Sequence, residues 1–287
     1  MFDCGRTLIT PIGVYIGVTK NMSQSVENFF NALWNDYIAR TPSAAKVHQV
    51  LGKGAAIIND HVAFRTFNLE PVRLEALAKH FEDMGYFANG DYHFEQKKLR
   101  AKHYEHVNPH YPKIFISELL VEEFSPELQA LVKSLVAQIP ATAVAAPEFL
   151  YSGTHWKIDY KGYEQLLAES EYAAWVSAFG FCANHFTVSV NALHDFDTLE
   201  HVNQQLKDAG FTLNTSGGEI KGSPEVLLEQ SSTMADEVEV DFNGQSVKIP
   251  SCFYEFARRY ETQDGKLYTG FVAASADKIF ESTNKNR

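Results

Sequence analysis

The amino-acid sequence predicts an α+β fold in which two βαβββ modules form one curved sheet around a cavity, with a helical preface before them and helices between them. Three observations carry this expectation. A helical stripe of apolar residues lies near the start; two later segments repeat the order histidine, β-rich run, acidic linker, amphipathic helix; and strand-like runs follow each repeat.

From Val26 the apolar positions run Val26, Phe29, Phe30, Leu33, Trp34, Tyr37, Ile38, the i, i+3, i+4, i+7, i+8 spacing of one helix face. Ser23 or Ser25 supplies its cap. The next stretch, TPSAAKVHQVLGKG, predicts a second short helix with Pro42 near its first turn and Gly52 as its stop. Together these make a helical preface over residues 22–56. Upstream, LITPIGVYIGVT (residues 8–19) is apolar but too short to span a bilayer, and it lacks the basic lead and cleavage site of a signal peptide. Residues 1–21 are therefore expected to be a tail, with Met22 as the more conventional beginning.

The repeated unit reads HVAFRTFNLEPVRLEALAKHFEDMGY in the first copy and HFTVSVNALHDFDTLEHVNQQLKDAGF in the second, each helix ending at a glycine, Gly85 or Gly210. Strand-like runs continue both: DYHFEQKK and PKIFISELLVEE in the first, EVLLEQSSTMA and EVEVDFNGQSVKIPSCFYEFARRY in the second. Between the copies the pattern predicts a helix over 126–139, a Pro/Ala-rich linker IPATAVAAPEF and a helix over 163–179. The expected organisation is one catalytic domain over 22–287, with the first module at 57–122, a helical linker at 123–180 and the second module at 181–287.

Bulk composition excludes several classes of function. With 45% hydrophobic and 13% aromatic residues, the chain can bury a large core. Its formal charge of −11, from 25 basic and 36 acidic residues, gives no electrostatic reason to approach nucleic acid or an anionic membrane. Cys4, Cys182 and Cys252 are odd in number and form no CxxC, so neither a disulfide framework nor a zinc knuckle is expected and a reducing cytoplasm is the default. No GxGxxG, P-loop, GxSxG or HExxH occurs, which removes the local signatures of dinucleotide, nucleotide and simple hydrolase sites. The acidic surface favours solubility, while an open sheet edge could pair two copies as a homodimer.

The chemistry starts at NDHVAFRTF, residues 59–67. Side chains alternate along a strand, so His61, Ala63 and Arg65 face one way and Val62, Phe64 and Thr66 the other. With the copies related by a pseudo-twofold axis, His61 and His185 lie on the first strand of each and face each other across the cavity. The last strands carry Glu118, in ISELL, and Glu255, in CFYEF. Two histidines and one carboxylate make the facial triad that binds Fe(II) and leaves positions open for substrate and O2. Either glutamate could complete it. Glu255 is the better candidate, because Arg259 stands at an even offset from it and repeats the pairing of His61 with Arg65.

Arg65 would then clamp the carboxylate of a substrate held at the metal, since a guanidinium matches a carboxylate bidentately and stays charged. A lone His-x-x-x-Arg is more often a satisfied core pair, with Arg65 tied to an acid such as Glu70; the second histidine at the matching place of the repeat shifts that balance. His103, His106 and His110 lack cysteine partners and are interrupted by Asn108 and Pro109, so they are expected in a surface loop. Cys182 and Cys252 stand three residues before His185 and Glu255, on the opposite strand face, as core residues.

Five blocks, HVAFRTF, NHFTVSV, GSPEVLLEQSS, FYEFARRY and YTGFVAASADKIFES, resemble in order those of the 2-oxoadipate dioxygenase/decarboxylase family, also called hydroxyglutarate synthases, over residues 25–284. That family is similar in fold to the vicinal-oxygen-chelate enzymes, which are built from βαβββ modules. The resemblance implies Fe(II) held by His61, His185 and Glu255, with Arg65 as the catalytic residue on the substrate carboxylate. It also implies Gln230, Arg259, Ala274 and Ser275 beside the substrate. The implied activity is that of a non-haem iron dioxygenase decarboxylating a 2-oxo dicarboxylic acid, 2-oxoadipate and O2 giving 2-hydroxyglutarate and CO2. Two rivals stand beside it: a redox-neutral, metal-dependent isomerase or hydrolase of the glyoxalase type with Glu118 as a fourth ligand, and a metal-free small-molecule binding protein.

Overall fold

The computed structural model of the chain describes residues 20–140 and 142–283, with side chains from residue 26 onward. Helix α1 (Lys20–Arg40) begins earlier than expected, so Ser23 and Ser25 lie inside it. The tail expected over 1–21 falls outside the described residues except for Lys20 and Asn21, which open α1. The apolar stripe from Val26 to Tyr37 is buried, as its spacing requires. Helix α2 (Ser43–Gly52) follows and stops where Lys53 takes a left-handed φ of 46°.

The first module comprises β1 (Asn59–Phe67), α3 (Leu74–Asp83), β2 (Tyr86–Phe94), β3 (Leu99–His106) and β4 (Lys113–Leu119). Contrary to the loop expectation, His103 and His106 are strand residues of β3. His103 is buried against the Tyr92 hydroxyl and His106 meets the Met84 carbonyl, each at 2.8 Å, while His110 is exposed. The alternation Leu99, Ala101, His103 carries the imidazole inward with its apolar neighbours.

Helices α4 (Pro126–Val136), α5 (Tyr160–Glu169) and α6 (Glu171–Phe179) join the modules. The single helix expected over 163–179 is two, because Ser170 leaves helical backbone (φ −150°, ψ 108°) and its hydroxyl caps α6 by accepting from the Ala173 N–H. The second module comprises β5 (Ala183–Ser189), α7 (Leu199–Asp208), β6 (Lys221–Ser223) and β7 (Leu228–Ser232), and then departs from the pattern. Strands β8 (Glu237–Phe242) and β9 (Gln245–Pro250) form a separate hairpin before β10 (Phe253–Arg259) closes the module and α8 (Ala273–Ile279) follows. The hairpin turns at Asn243-Gly244, with φ of 53° and 94°, the positive pair that a two-residue loop of this kind needs.

The main sheet has the order β2-β3-β4-β1-β5-β10-β7-β6, which reads the same from either edge when the modules are exchanged. Strands β1 and β5 meet antiparallel at its centre, with β4 parallel to β1 and β10 parallel to β5. The paired βαβββ modules thus curl into a half-barrel of the vicinal-oxygen-chelate type. Helix α1 seals the outer face of the second module: the Trp34 ring lies 5.1 Å from Phe186, and the Tyr37 hydroxyl donates to the Phe253 carbonyl at 2.5 Å. With Phe186 and Tyr254 turned to α1, strand alternation sends His185 and Glu255 to the inner face. No helix among the described residues is long and apolar enough to cross a membrane.

Candidate metal centre

The pairing of β1 with β5 contains two β-bulges. Asn59 opposes Val188 while His61 opposes Thr187, so Asp60 is an extra residue on β1. Ala63 opposes His185 while Phe64 opposes Ala183, so Asn184 is an extra residue on β5. A constant shift of 124 residues maps one bulge onto the other, His61 onto His185 and Asp60 onto Asn184. Bulges re-aim the side chains beside them, and here each extra residue turns to the histidine that follows it. Asp60 Oδ1 lies 2.8 Å from His61 Nδ1, and Asn184 Oδ1 lies 3.0 Å from His185 Nδ1. Each Nδ1–H is thereby committed to an oxygen, which leaves each Nε2 lone pair for the cavity.

Both nitrogens meet Glu255. Its Oε2 is 3.0 Å from His185 Nε2 and its Oε1 is 3.6 Å from His61 Nε2. The three ligand atoms lie within 4.8 Å of one another, on three buried residues. Gln230 on β7 donates to Glu255 Oε1 at 2.5 Å, and the Thr187 hydroxyl is 3.0 Å from His61 Nε2. This donor set fits a divalent transition metal. Two imidazole lone pairs and an anionic carboxylate converge where almost no solvent reaches, and positive charge between them relieves the repulsion.

In the metal-free site burial opposes the Glu255 charge, yet the neighbouring histidines, His61 foremost, pull its carboxyl down to about 2 when they carry a proton. Burial likewise opposes an ionised Asp60, and the Arg259 guanidinium overcomes it, holding that carboxyl well below its usual range. At His185 burial prevails and lowers the pKa; at His61 burial pulls the same way but Glu255 and Asp60 outweigh it and raise the value.

In front of the triad is a cavity lined also by Arg65, Gln230, Phe115, Phe271, Ile279 and Phe280. Its volume is about 370 Å³. Arg65 is 2% exposed; Nη1 donates to Glu171 Oε1 and Nη2 to Thr283 Oγ1, both at 3.1 Å, while Nε has no partner. The rings of Tyr172 and Trp175 pack on the guanidinium with centroids 5.0 Å away.

Three residues expected beside the substrate are placed differently. Arg259 does not line the cavity: Nε and Nη2 donate to Asp60 at 2.7 and 2.9 Å, and Nη1 to the Tyr268 and Gly270 carbonyls. It acts on His61 through Asp60. Ser275 is buried next to Gly222 and Ala274 is exposed, because α8 turns Ala276 and Ile279 to the cavity. Glu118 is not a ligand here: its oxygens meet Arg100 Nη2 and the Leu74 N–H, each at 2.7 Å, where it caps α3. The register explains why. Lys113 opposes His61 as Phe253 opposes His185, so the counterpart of Glu255 in the first module is Phe115. A phenyl ring therefore occupies the place where the repeat would offer a fourth ligand. Asp60, Asn184 and Phe115 escape a reading by alternation, although an Asp or Asn directly before each histidine is visible in the repeat.

Residues 28–268 match a family model described as 2-oxoadipate dioxygenase/decarboxylase. The chain is similar to the 2-oxoadipate dioxygenase/decarboxylase, chloroplastic/amyloplastic, of Oryza sativa subsp. japonica, with 34% identity over 297 residues, 93% of this chain and 82% of that protein. Its structure is similar to that of the hydroxyglutarate synthase in complex with 2-oxoadipate from Oryza sativa, with a TM-score of 0.88, 32% identity and 99% of each chain covered. It is also similar to a crystal structure from Shewanella frigidimarina NCIMB 400, with a TM-score of 0.84, 62% identity, and 90% of this chain and 100% of that one covered. The family expected from the five sequence blocks is the one found by independent comparison of sequence and of structure: the chain belongs to the 2-oxoadipate dioxygenase/decarboxylase family.

Proposed function

We propose that the protein is an Fe(II)-dependent dioxygenase that decarboxylates a 2-oxo dicarboxylic acid, with 2-oxoadipate and O2 giving 2-hydroxyglutarate and CO2. The observation that carries this reading is the convergence of His61, His185 and Glu255 on one buried cavity that Arg65 also lines. The rice hydroxyglutarate synthase in complex with 2-oxoadipate supports the substrate class. Phe115 at the fourth-ligand position favours a three-ligand oxygenase site over the four-ligand isomerase or hydrolase.

Bound Fe(II) supplies chelation of the 2-oxo acid and electrons for O2. The chain's residues supply the rest. His61 and His185 serve as neutral ligands because Asp60 and Asn184 accept hydrogen bonds from their Nδ1–H groups. Gln230 fixes the orientation of the Glu255 carboxylate. Arg65 stands four residues along β1 from His61 on the same face, about 13 Å between backbones at ~3.3 Å per residue. A diacid with its 2-oxo end at the triad thus points its far carboxylate toward the guanidinium. Glu171 and Thr283 hold that group in place before the ligand arrives, leaving Nε–H as the free donor. Phe115, Phe271, Ile279 and Phe280 exclude water from the reacting end.

The test is O2 consumption by metal-free protein reconstituted anaerobically with Fe(II), across a panel of 2-oxo acids that includes 2-oxoadipate. Uptake matched one-to-one by CO2 release, and lost in His185→Ala, is the expected result. Iron bound with no uptake on any acid would overturn the oxygenase reading and favour the redox-neutral one.

A further inference from the structure

We infer that Asn184 orients the substrate, its side-chain NH2 donating a hydrogen bond to the 2-oxo acid end of the ligand beside His185. The role rests on the proposed function and goes beyond it by assigning recognition of the 2-oxo end to a residue outside the metal triad and the arginine clamp.

Three features of the site lead to it. First, the amide can face only one way. Its Oδ1 lies 3.0 Å from His185 Nδ1, which must carry the proton if Nε2 is to be a ligand, so the oxygen is the acceptor and Nδ2 occupies the opposite side. Second, that NH2 is stranded: Asn184 is 1% exposed, lines the cavity, and its Nδ2 has no hydrogen-bond partner. A buried donor without an acceptor is costly, and native structures tolerate few of them away from functional sites. Third, the bulge supplies the aim. Plain alternation would put Asn184 on the face opposite His185, whereas the extra residue in the β1–β5 pairing brings both to the same cavity.

The repeat provides an internal comparison. At the equivalent place in the first module, Asp60 meets His61 and accepts from Nε and Nη2 of Arg259, and it does not line the cavity. The same backbone position is thus used to hold a histidine in both modules, while only the second leaves a group free. That group is neutral and a donor. A 2-oxo acid offers only acceptors at its reacting end, a carboxylate and a keto oxygen, which an amide NH2 satisfies and an aspartate would repel. The other buried donor of the cavity without a partner is Arg65 Nε, two residues along β1 from Ala63, the residue opposite His185. Asn184 is assigned the 2-oxo end because it adjoins the ligand histidine His185, and Arg65, a full positive charge, the second carboxylate.

The experiment compares anaerobic equilibrium binding of 2-oxoadipate and of 2-oxohexanoate, which keeps the 2-oxo end and lacks the far carboxylate, to Fe(II)-loaded protein. Asn184→Asp keeps an oxygen for His185 and should retain its iron stoichiometry, yet bind both acids about 30–100-fold more weakly, as expected for a charge-assisted hydrogen bond replaced by repulsion. Asn184→Ala, which adds no charge, should lose about tenfold on both; its melting temperature and iron content report whether either variant is folded. Arg65→Gln should weaken 2-oxoadipate alone. Affinities within threefold of wild type in Asn184→Asp and Asn184→Ala would overturn the assignment while leaving the oxygenase reading intact. Wild-type protein that binds neither acid would remove both.

Discussion

Replacing Asp60 by Asn tests the arrangement that holds His61. The change keeps the side chain's shape and an acceptor for the imidazole, and removes one negative charge from between His61 and Arg259. Arg259 Nε and Nη2 lie 2.7 and 2.9 Å from the two carboxylate oxygens, and the side chains are only 3% and 5% exposed. Stranding one member of such a buried pair costs about 3–5 kcal/mol. Nη1 keeps its bonds to the Tyr268 and Gly270 carbonyls, so the lower end, about 3 kcal/mol, is expected. His61 also loses an anionic acceptor for Nδ1, which should weaken metal binding about tenfold or more. Urea unfolding of the metal-free protein measures the first effect, and competition between protein and a chelating dye for Co(II) measures the second. Adding Arg259→Met to Asp60→Asn should recover part of the lost stability, because no buried charge is then left alone. A loss below about 1 kcal/mol, the value of a solvated pair, together with unchanged metal affinity, would refute the reasoning.

Two further outcomes are expected. Glu118→Gln should leave metal stoichiometry unchanged while costing about 1–3 kcal/mol in thermal or urea unfolding, through its bonds to Arg100 and the Leu74 N–H; lost metal binding would return Glu118 to the site. Acid should destabilise the metal-free protein through two carboxylates whose folded pKa values are depressed. Glu255 is held at about 2 against an ordinary 4.5, so its contribution is present above the unfolded value and disappears as pH falls from there toward 2, and Asp60 acts in the same sense. Unfolding free energies measured between pH 6 and 3 (roughly the window these shifts define) should fall more steeply in wild type than in Glu255→Gln; equal slopes would show that Glu255 is not the depressed group.

The sequence by itself determined the elements whose signal is local and periodic. A stripe of apolar residues at helical spacing is buried as α1 because any other face would leave Phe30, Leu33 and Tyr37 in water. A repeat of one module in tandem requires a sheet with two equivalent halves, and it placed a histidine at the same point of each. The hairpin at Asn243-Gly244 was also written there, between two alternating runs, but was hidden by the expectation that every strand belongs to the repeat. What only the tertiary structure decided depends on partners far away in the chain. Strand parity assumes a period of two, and a bulge breaks it; only the pairing of β1 with β5 reveals that Asp60 and Asn184 are extra residues turned toward the histidines. Likewise the choice between Glu118 and Glu255 is a matter of register. Parallel pairing sets Phe115, not Glu118, opposite the ligand position, and the unused glutamate becomes the cap of α3. Arg259 has the right spacing for a substrate clamp, yet a buried guanidinium goes to the nearest buried carboxylate, and which carboxylate that is depends on how the sheet closes.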